Sequence, residues 1–128
     1  MRTRFTKVER AYKAWLCMNG HDDRLTNQEL ALITEYVKWS EPNTDDDYPC
    51  YVANLNRNIR KAIKEQLEIS TDTLTLYTRK LVKHGVLQRT GDNQLRINVT
   101  YVCKELHMIM QESRTKNEPY FVTYAFAV

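Results

Sequence analysis

The hydrophobic period of this chain changes at Gly85, and that change constrains the fold more than any other feature of the sequence. Before it, apolar residues recur at helical spacing. Val52, Leu55, Ile59, Ala62 or Ile63, and Leu67 make the buried stripe of a helix expected over 51–67. Ile69-Ser70 breaks that pattern, and a further helix is expected from Thr71 or Asp72 to His84. Gly85 then stands just past a helix end, where a left-handed residue commonly closes the last turn. After it the period is two. Val86–Thr90 reads as a short strand, Gly91-Asp92-Asn93 as a tight turn, and Gln94–Val99 as a second strand with Leu95, Ile97 and Val99 on one side. The order over 51–99 is therefore helix, short turn, helix, glycine, hairpin.

The flanks are expected to add helices and one strand. Val8, Ala11, Tyr12, Trp15 and Leu16 form an amphipathic stripe within 6–18, ended by Asn19-Gly20. Thr26 and Glu29 make a capping box ahead of Leu30, Ile33 and Val37, and this second helix should stop before Pro42. Residues 41–49 read as an acidic loop. Thr100 is the expected cap of a helix over about 101–114, whose wide apolar face (Val102, Leu106, Ile109, Met110, with Cys103 and Met108 beside it) implies deep burial or a subunit contact. Pro119 interrupts, and 120–128 reads as a final strand that something has to cover. The expected class is mainly α with a small β-hairpin, in one domain over 1–128. It divides into N-terminal helices and acidic loop (1–50), helix pair and hairpin (51–99), and C-terminal helix and strand (100–128).

Charge is uneven along the chain. Residues 54–104 carry ten Lys/Arg against four Asp/Glu, whereas the chain as a whole is only +3. A basic surface on a nearly neutral body is the footprint of a nucleic-acid partner. No apolar run is long enough for a membrane span, and residues 1–15 lack the apolar block of a secretory signal. Cys17, Cys50 and Cys103 are odd in number and widely spaced, so neither a disulfide framework nor a metal site is expected; free thiols fit a reducing cytoplasm.

Residues 69–99 resemble the winged helix-turn-helix superfamily. Ile69 and Ser70 open the turn, Leu74 and Leu81 face the preceding helix, Gly85 follows, and Val86-Leu87 enters the first strand of the wing. The resemblance implies that the helix over 71–84 enters the major groove of double-stranded DNA, with the wing beside it. It implies base or phosphate contacts for the hydroxyls of Thr71, Thr73 and Thr75, and phosphate contacts for Arg79, Lys80 and Lys83. Arg89 and Arg96 fall on the wing, and Arg60, Lys61 and Lys64 on the preceding helix add phosphate contacts. Two positions depart from the pattern: Leu76 stands where a polar residue is common, and Thr78 where an apolar one is. Either Leu76 meets a thymine methyl or a protein, or the helix is rotated to bury Leu76 and expose Thr78. Ile97-Asn98 leading into a tyrosine-containing segment resembles plasmid and phage replication proteins of this superfamily, although Val99 stands where those have proline. The outer helices resemble those that pair in MarR-like regulators.

No enzyme chemistry is expected. His21, His84 and His107 lie on separate elements, and no nucleophile elbow, phosphate loop or metalloprotease motif is present. Cys103 and His107 share a helix face, but no further ligand accompanies them, and core packing is the simpler role for Cys103. Asp45-Asp46-Asp47 lacks the alternation and central glycine of a calcium loop. The expected function is DNA binding without a cofactor. The protein would be a transcription regulator or replication factor in the cytoplasm of a bacterial or phage-infected cell, and any homodimer would form through the C-terminal helix and strand. The rival reading is a non-enzymatic structural or adaptor protein, for instance in a phage or multiprotein assembly, that uses the same face for protein contacts.

Overall fold

The computed structural model describes residues 2–21, 23–43, 50–91 and 93–126. Asp22, the acidic stretch 44–49, Asp92 of the hairpin turn and residues 127–128 of the final strand lie outside the described residues. In chain order the elements are β1 (Arg2–Lys7), α1 (Val8–Met18), α2 (Asn27–Lys38), β2 (Ser40–Asn43), β3 (Cys50–Asn54), α3 (Arg57–Leu67), α4 (Thr71–Lys83), β4 (Leu87–Gly91), β5 (Gln94–Ile97), α5 (Lys104–Lys116) and β6 (Phe121–Phe126). The class is mixed α/β rather than mainly α with a single hairpin. An antiparallel four-stranded sheet runs in the order β2-β3-β5-β4, and β1 pairs with β6 in a separate two-stranded ribbon.

α1 and α2 form where their stripes predict. Val8, Ala11, Tyr12 and Leu16 are the buried face of α1, and Gly20, at φ 77°, takes the left-handed position behind its last turn. The capping box of α2 is complete: Thr26 Oγ1 accepts from the Glu29 amide at 3.2 Å, and Glu29 Oε1 accepts from the Thr26 amide at 3.3 Å. α2 then packs against α1, α3, α4, α5, β2 and β3. A helix surrounded on so many sides buries polar as well as apolar positions, here Thr34 and Glu35 beside Leu32, Ile33 and Tyr36.

Three strands were not legible in the pattern. Residues 40–43 pair with β3 instead of forming loop, and 50–54 is a strand rather than the first turns of a helix. The helix expected over 51–67 begins at Arg57 because Asn56 caps it, its Oδ1 accepting from the Ile59 amide at 2.9 Å. Tyr51 and Ala53 align with Ile97 and Leu95 across the sheet, so the core-facing residues of β3 continue those of the hairpin. β1 pairs in register with β6, from Arg2 opposite Phe126 to Lys7 opposite Phe121. The C-terminal strand is thus covered along one edge by the N-terminal one.

α5 begins at Lys104, not at 101. Thr100 caps nothing; Asn98 Oδ1 accepts from the Thr100 amide at 3.0 Å, and Val99–Tyr101 makes one turn of 3-10 helix. The apolar face of α5 is largely spent inside the chain. Met110 is fully buried, His107 bonds the Ser40 carbonyl at 2.9 Å, and Arg114 donates to the Lys38 carbonyl at 3.0 Å. The Tyr12 hydroxyl ties α1 to the segment entering α5, donating to the Tyr101 carbonyl at 2.7 Å and accepting from the Cys103 amide at 3.0 Å. Burial pushes that phenol well above its ordinary range. Among the described residues no helix is long and apolar enough to cross a membrane.

Candidate nucleic-acid interface

The phase of α4 decides which side chains face outward. Leu74, Thr78 and Leu81 are buried, so the opposite stripe carries Asp72, Thr75, Leu76, Arg79, Lys80 and Lys83, all exposed. The rotated alternative, with Leu76 inside and Thr78 outside, is overturned: Leu76 is 46% exposed and Thr78 5%. A buried threonine is tolerated here because both ends of its hydroxyl are used. Thr78 Oγ1 donates to the Leu74 carbonyl at 2.7 Å, which leaves its lone pair for the Tyr36 hydroxyl at 2.6 Å.

The first turn of α4 is built from hydroxyls and one ammonium. Ser70 caps the helix, accepting from the Thr73 amide at 3.2 Å and donating to the Thr73 hydroxyl at 3.0 Å. Lys64, from the last turn of α3, reaches across the turn to Thr71 Oγ1 at 3.0 Å. This holds a positive charge beside a helix N-terminus, whose free amides also favour an anion. Thr75 donates to the Thr71 carbonyl at 3.0 Å, and its oxygen can still accept. Thr71 and Thr75 are exposed and Thr73 is half-buried.

Arg60 is half-buried on α3, and Arg89 is exposed on β4. Arg60 donates to Asn93 Oδ1 at 2.6 Å, and the Asn93 carbonyl accepts from the Leu55 amide at 2.6 Å, so the hairpin turn, the start of α3 and one guanidinium are locked together. Burial pushes the Tyr36 phenol up, while the Thr78 hydrogen bond and the charges of Arg60 and Arg89 act in the other direction. Both guanidinium groups therefore lie within electrostatic reach of the α2–α4 contact. Lys61 is exposed on α3. Arg96 is not brought to this surface. It stands in register with Val52 and Gln88 while its neighbours Leu95 and Ile97 are buried, which puts it on the face of the sheet turned away from the core.

Sequence reasoning missed Asn93 as the acceptor that orients Arg60. The two are far apart in the chain, and no local pattern links them. Among the described residues, no three His, Cys, Asp or Glu side chains are placed to hold a metal ion. Cys103 lies with its thiol 3.6 Å from Glu105 Oε2, and His107 is packed edge-on against Tyr51 with ring centroids 4.7 Å apart. No protein-family profile, characterised protein or solved structure matches this chain.

Proposed function

We propose that this protein binds double-stranded DNA, with α4 in the major groove and the hairpin β4–β5 as a wing beside it. The observation that carries the reading is the outward stripe of α4: Arg79, Lys80 and Lys83 lie along one exposed face, with Lys64 of α3 bonded to Thr71 at its N-terminal end. To these the reading adds Lys61 and Arg60 from α3 and Arg89 from the hairpin. The chain order β3, α3, α4, β4, β5, with β3 paired to β5, supports a winged-helix reading of the middle segment. Contacts would be mostly to phosphates, with Thr71, Thr73 and Thr75 the nearest hydroxyls for base edges.

The test is fluorescence anisotropy of a labelled mixed-sequence duplex at several salt concentrations. If about five of the seven cations meet phosphates, the log–log slope is about −4.5, and affinity falls roughly 500-fold between 50 and 200 mM salt. Absence of binding by the folded protein at low salt overturns the reading. Leu76, exposed in the middle of the stripe, favours the second reading, a protein-binding adaptor, and that result would select it. A homodimer through α5 and β6 belongs to the same proposal. Among the described residues its exposed apolar groups are Met108 and Phe121, and sedimentation equilibrium reads it as a doubled mass.

A further inference from the structure

A cleft of about 710 Å³ opens where α1, α2 and the C-terminal ends of α3 and α5 meet, and no residue of α4 lines it. Its inner wall holds an imbalance. Lys38 Nζ pairs with Glu9 Oε1 at 3.4 Å. Glu35, one turn before Lys38 and 4% exposed, lines the same cleft, yet its Oε2 is buried with no hydrogen-bond partner. Lys38 is thus spent on Glu9, and Glu35 Oε2 is left without a donor. The C-terminal ends of α3, at Leu67, and of α5, at Asn117, border the same space and add the negative ends of two helix dipoles. The α1 wall is opposite in character. Arg10 is exposed and Lys13 half-buried, and among the described residues neither makes an ion pair.

We infer that this cleft is a binding site for a small organic zwitterion, an amine that also carries an acidic group. Its ammonium hydrogen-bonds Glu35, and its acidic group is held by Arg10 and Lys13. The volume is that of ordinary small-molecule sites. The carboxyl of Glu35 turns about a soft, two-fold terminal torsion, so either oxygen can be presented to the cleft. Trp39 lines the cleft with Arg114 over its ring at 5.5 Å, and so reports on occupancy. Trp15 packs between Tyr12 and His21 and is an internal reference.

Burial pushes the Glu35 carboxyl up to about 7, with Lys38 lowering it and Glu9 raising it. The other charged groups on the cleft wall are Lys7, Arg10 and Lys13 on the α1 side, and Arg114 and Glu118 at the end of α5. Binding through an ionised Glu35 is therefore stronger at about pH 8 than at about pH 5.5, by about 30-fold from the ionised fractions alone.

The experiment titrates the full chain with 6-aminohexanoate, with butylamine and with hexanoate, following the two indole N–H signals by NMR. The expected result is that 6-aminohexanoate moves the Trp39 signal with a millimolar Kd at about pH 8, leaves Trp15 in place and loses that effect at about pH 5.5. Butylamine binds more weakly and hexanoate does not bind. Glu35→Gln abolishes the response, and Arg10→Ala with Lys13→Ala removes the advantage of the zwitterion over the amine. No movement of Trp39 with 6-aminohexanoate overturns the inference. So does an undiminished response in Glu35→Gln or at the lower pH in the unaltered chain, or equal binding of the amine.

Discussion

Removing the hydroxyl of Thr78 tests the phase of α4, on which the outward stripe depends. Thr78 donates to the Leu74 carbonyl, so the proton between Thr78 and Tyr36 comes from the phenol. Thr78→Val keeps the shape and leaves the Tyr36 hydroxyl, on a side chain 1% exposed, without an acceptor. An orphaned buried donor costs about 2 kcal/mol. Tyr36→Phe costs about 1 kcal/mol, since Thr78 keeps its bond to the helix. In the double variant neither group is left wanting, so its cost stays near that of Tyr36→Phe alone. The coupling is then about 2 kcal/mol, far above the few tenths expected of independent sites. Urea denaturation of the four proteins measures it, and thermal melting should show about 3–5 °C per kcal/mol at this chain length. Leu76→Ser, on the exposed side, should shift stability by less than about 0.5 kcal/mol. Additive losses, or a Leu76→Ser cost exceeding that of Thr78→Val, would refute the phase of α4 and with it the set of residues assigned to the interface.

Three further outcomes are expected. Arg79→Ala with Lys80→Ala should reduce the salt slope of DNA binding from about −4.5 to about −2.7, so that affinity falls only about 40-fold between 50 and 200 mM salt; an unchanged slope removes α4 from the interface. Ser70→Ala, which deletes the cap of α4, should cost about 1 kcal/mol in chemical denaturation, and a loss within error would mean that the cap is idle. Glu35 links stability to pH. Its folded carboxyl titrates at about 7 against 4.5 when unfolded, so the unfolded chain loses its proton first as pH rises. Stability therefore declines between about pH 4.5 and 7, by at most about 3 kcal/mol, and Glu35→Gln should flatten that decline and melt higher than the unaltered chain at about pH 8. Parallel pH profiles of the two proteins would contradict it.

What the sequence made legible is what local periodicity controls. The stripe of α1, the capping box of α2, the helix over 71–83 and the hairpin after Gly85 each follow from residues within a few turns of one another. β3 was obscured because Val52, Leu55 and Ile59 also satisfy helical spacing; only pairing with Leu95 and Ile97 decides for a strand, and that pairing is non-local. β1 has no apolar alternation in RTRFTK, and its partner lies at the other end of the chain. Thr100 fits a cap by residue type, but the amides it would cap are taken by other acceptors, that of Val102 by the Val99 carbonyl and that of Cys103 by the Tyr12 hydroxyl.

The candidate interface divides along the same line. Arg79, Lys80 and Lys83 share one helix face whatever the tertiary packing, once Leu74 and Leu81 are known to be inside. Arg89 and Arg96 look equivalent in a sequence, yet the hairpin sends them to different places, because strand alternation places Arg96 opposite the buried Leu95 and Ile97. Arg60 becomes an oriented group only through Asn93, and Glu35 becomes a buried carboxylate only because α2 is enclosed by its neighbours. An acidic residue on an amphipathic helix ordinarily faces water, so its burial beside Lys38 and Glu9 carries information that no helical wheel contains. The charge surplus of the middle segment follows from residue types alone. Which of its cations share one face is set by the phase of α4 and by the pleat of the sheet.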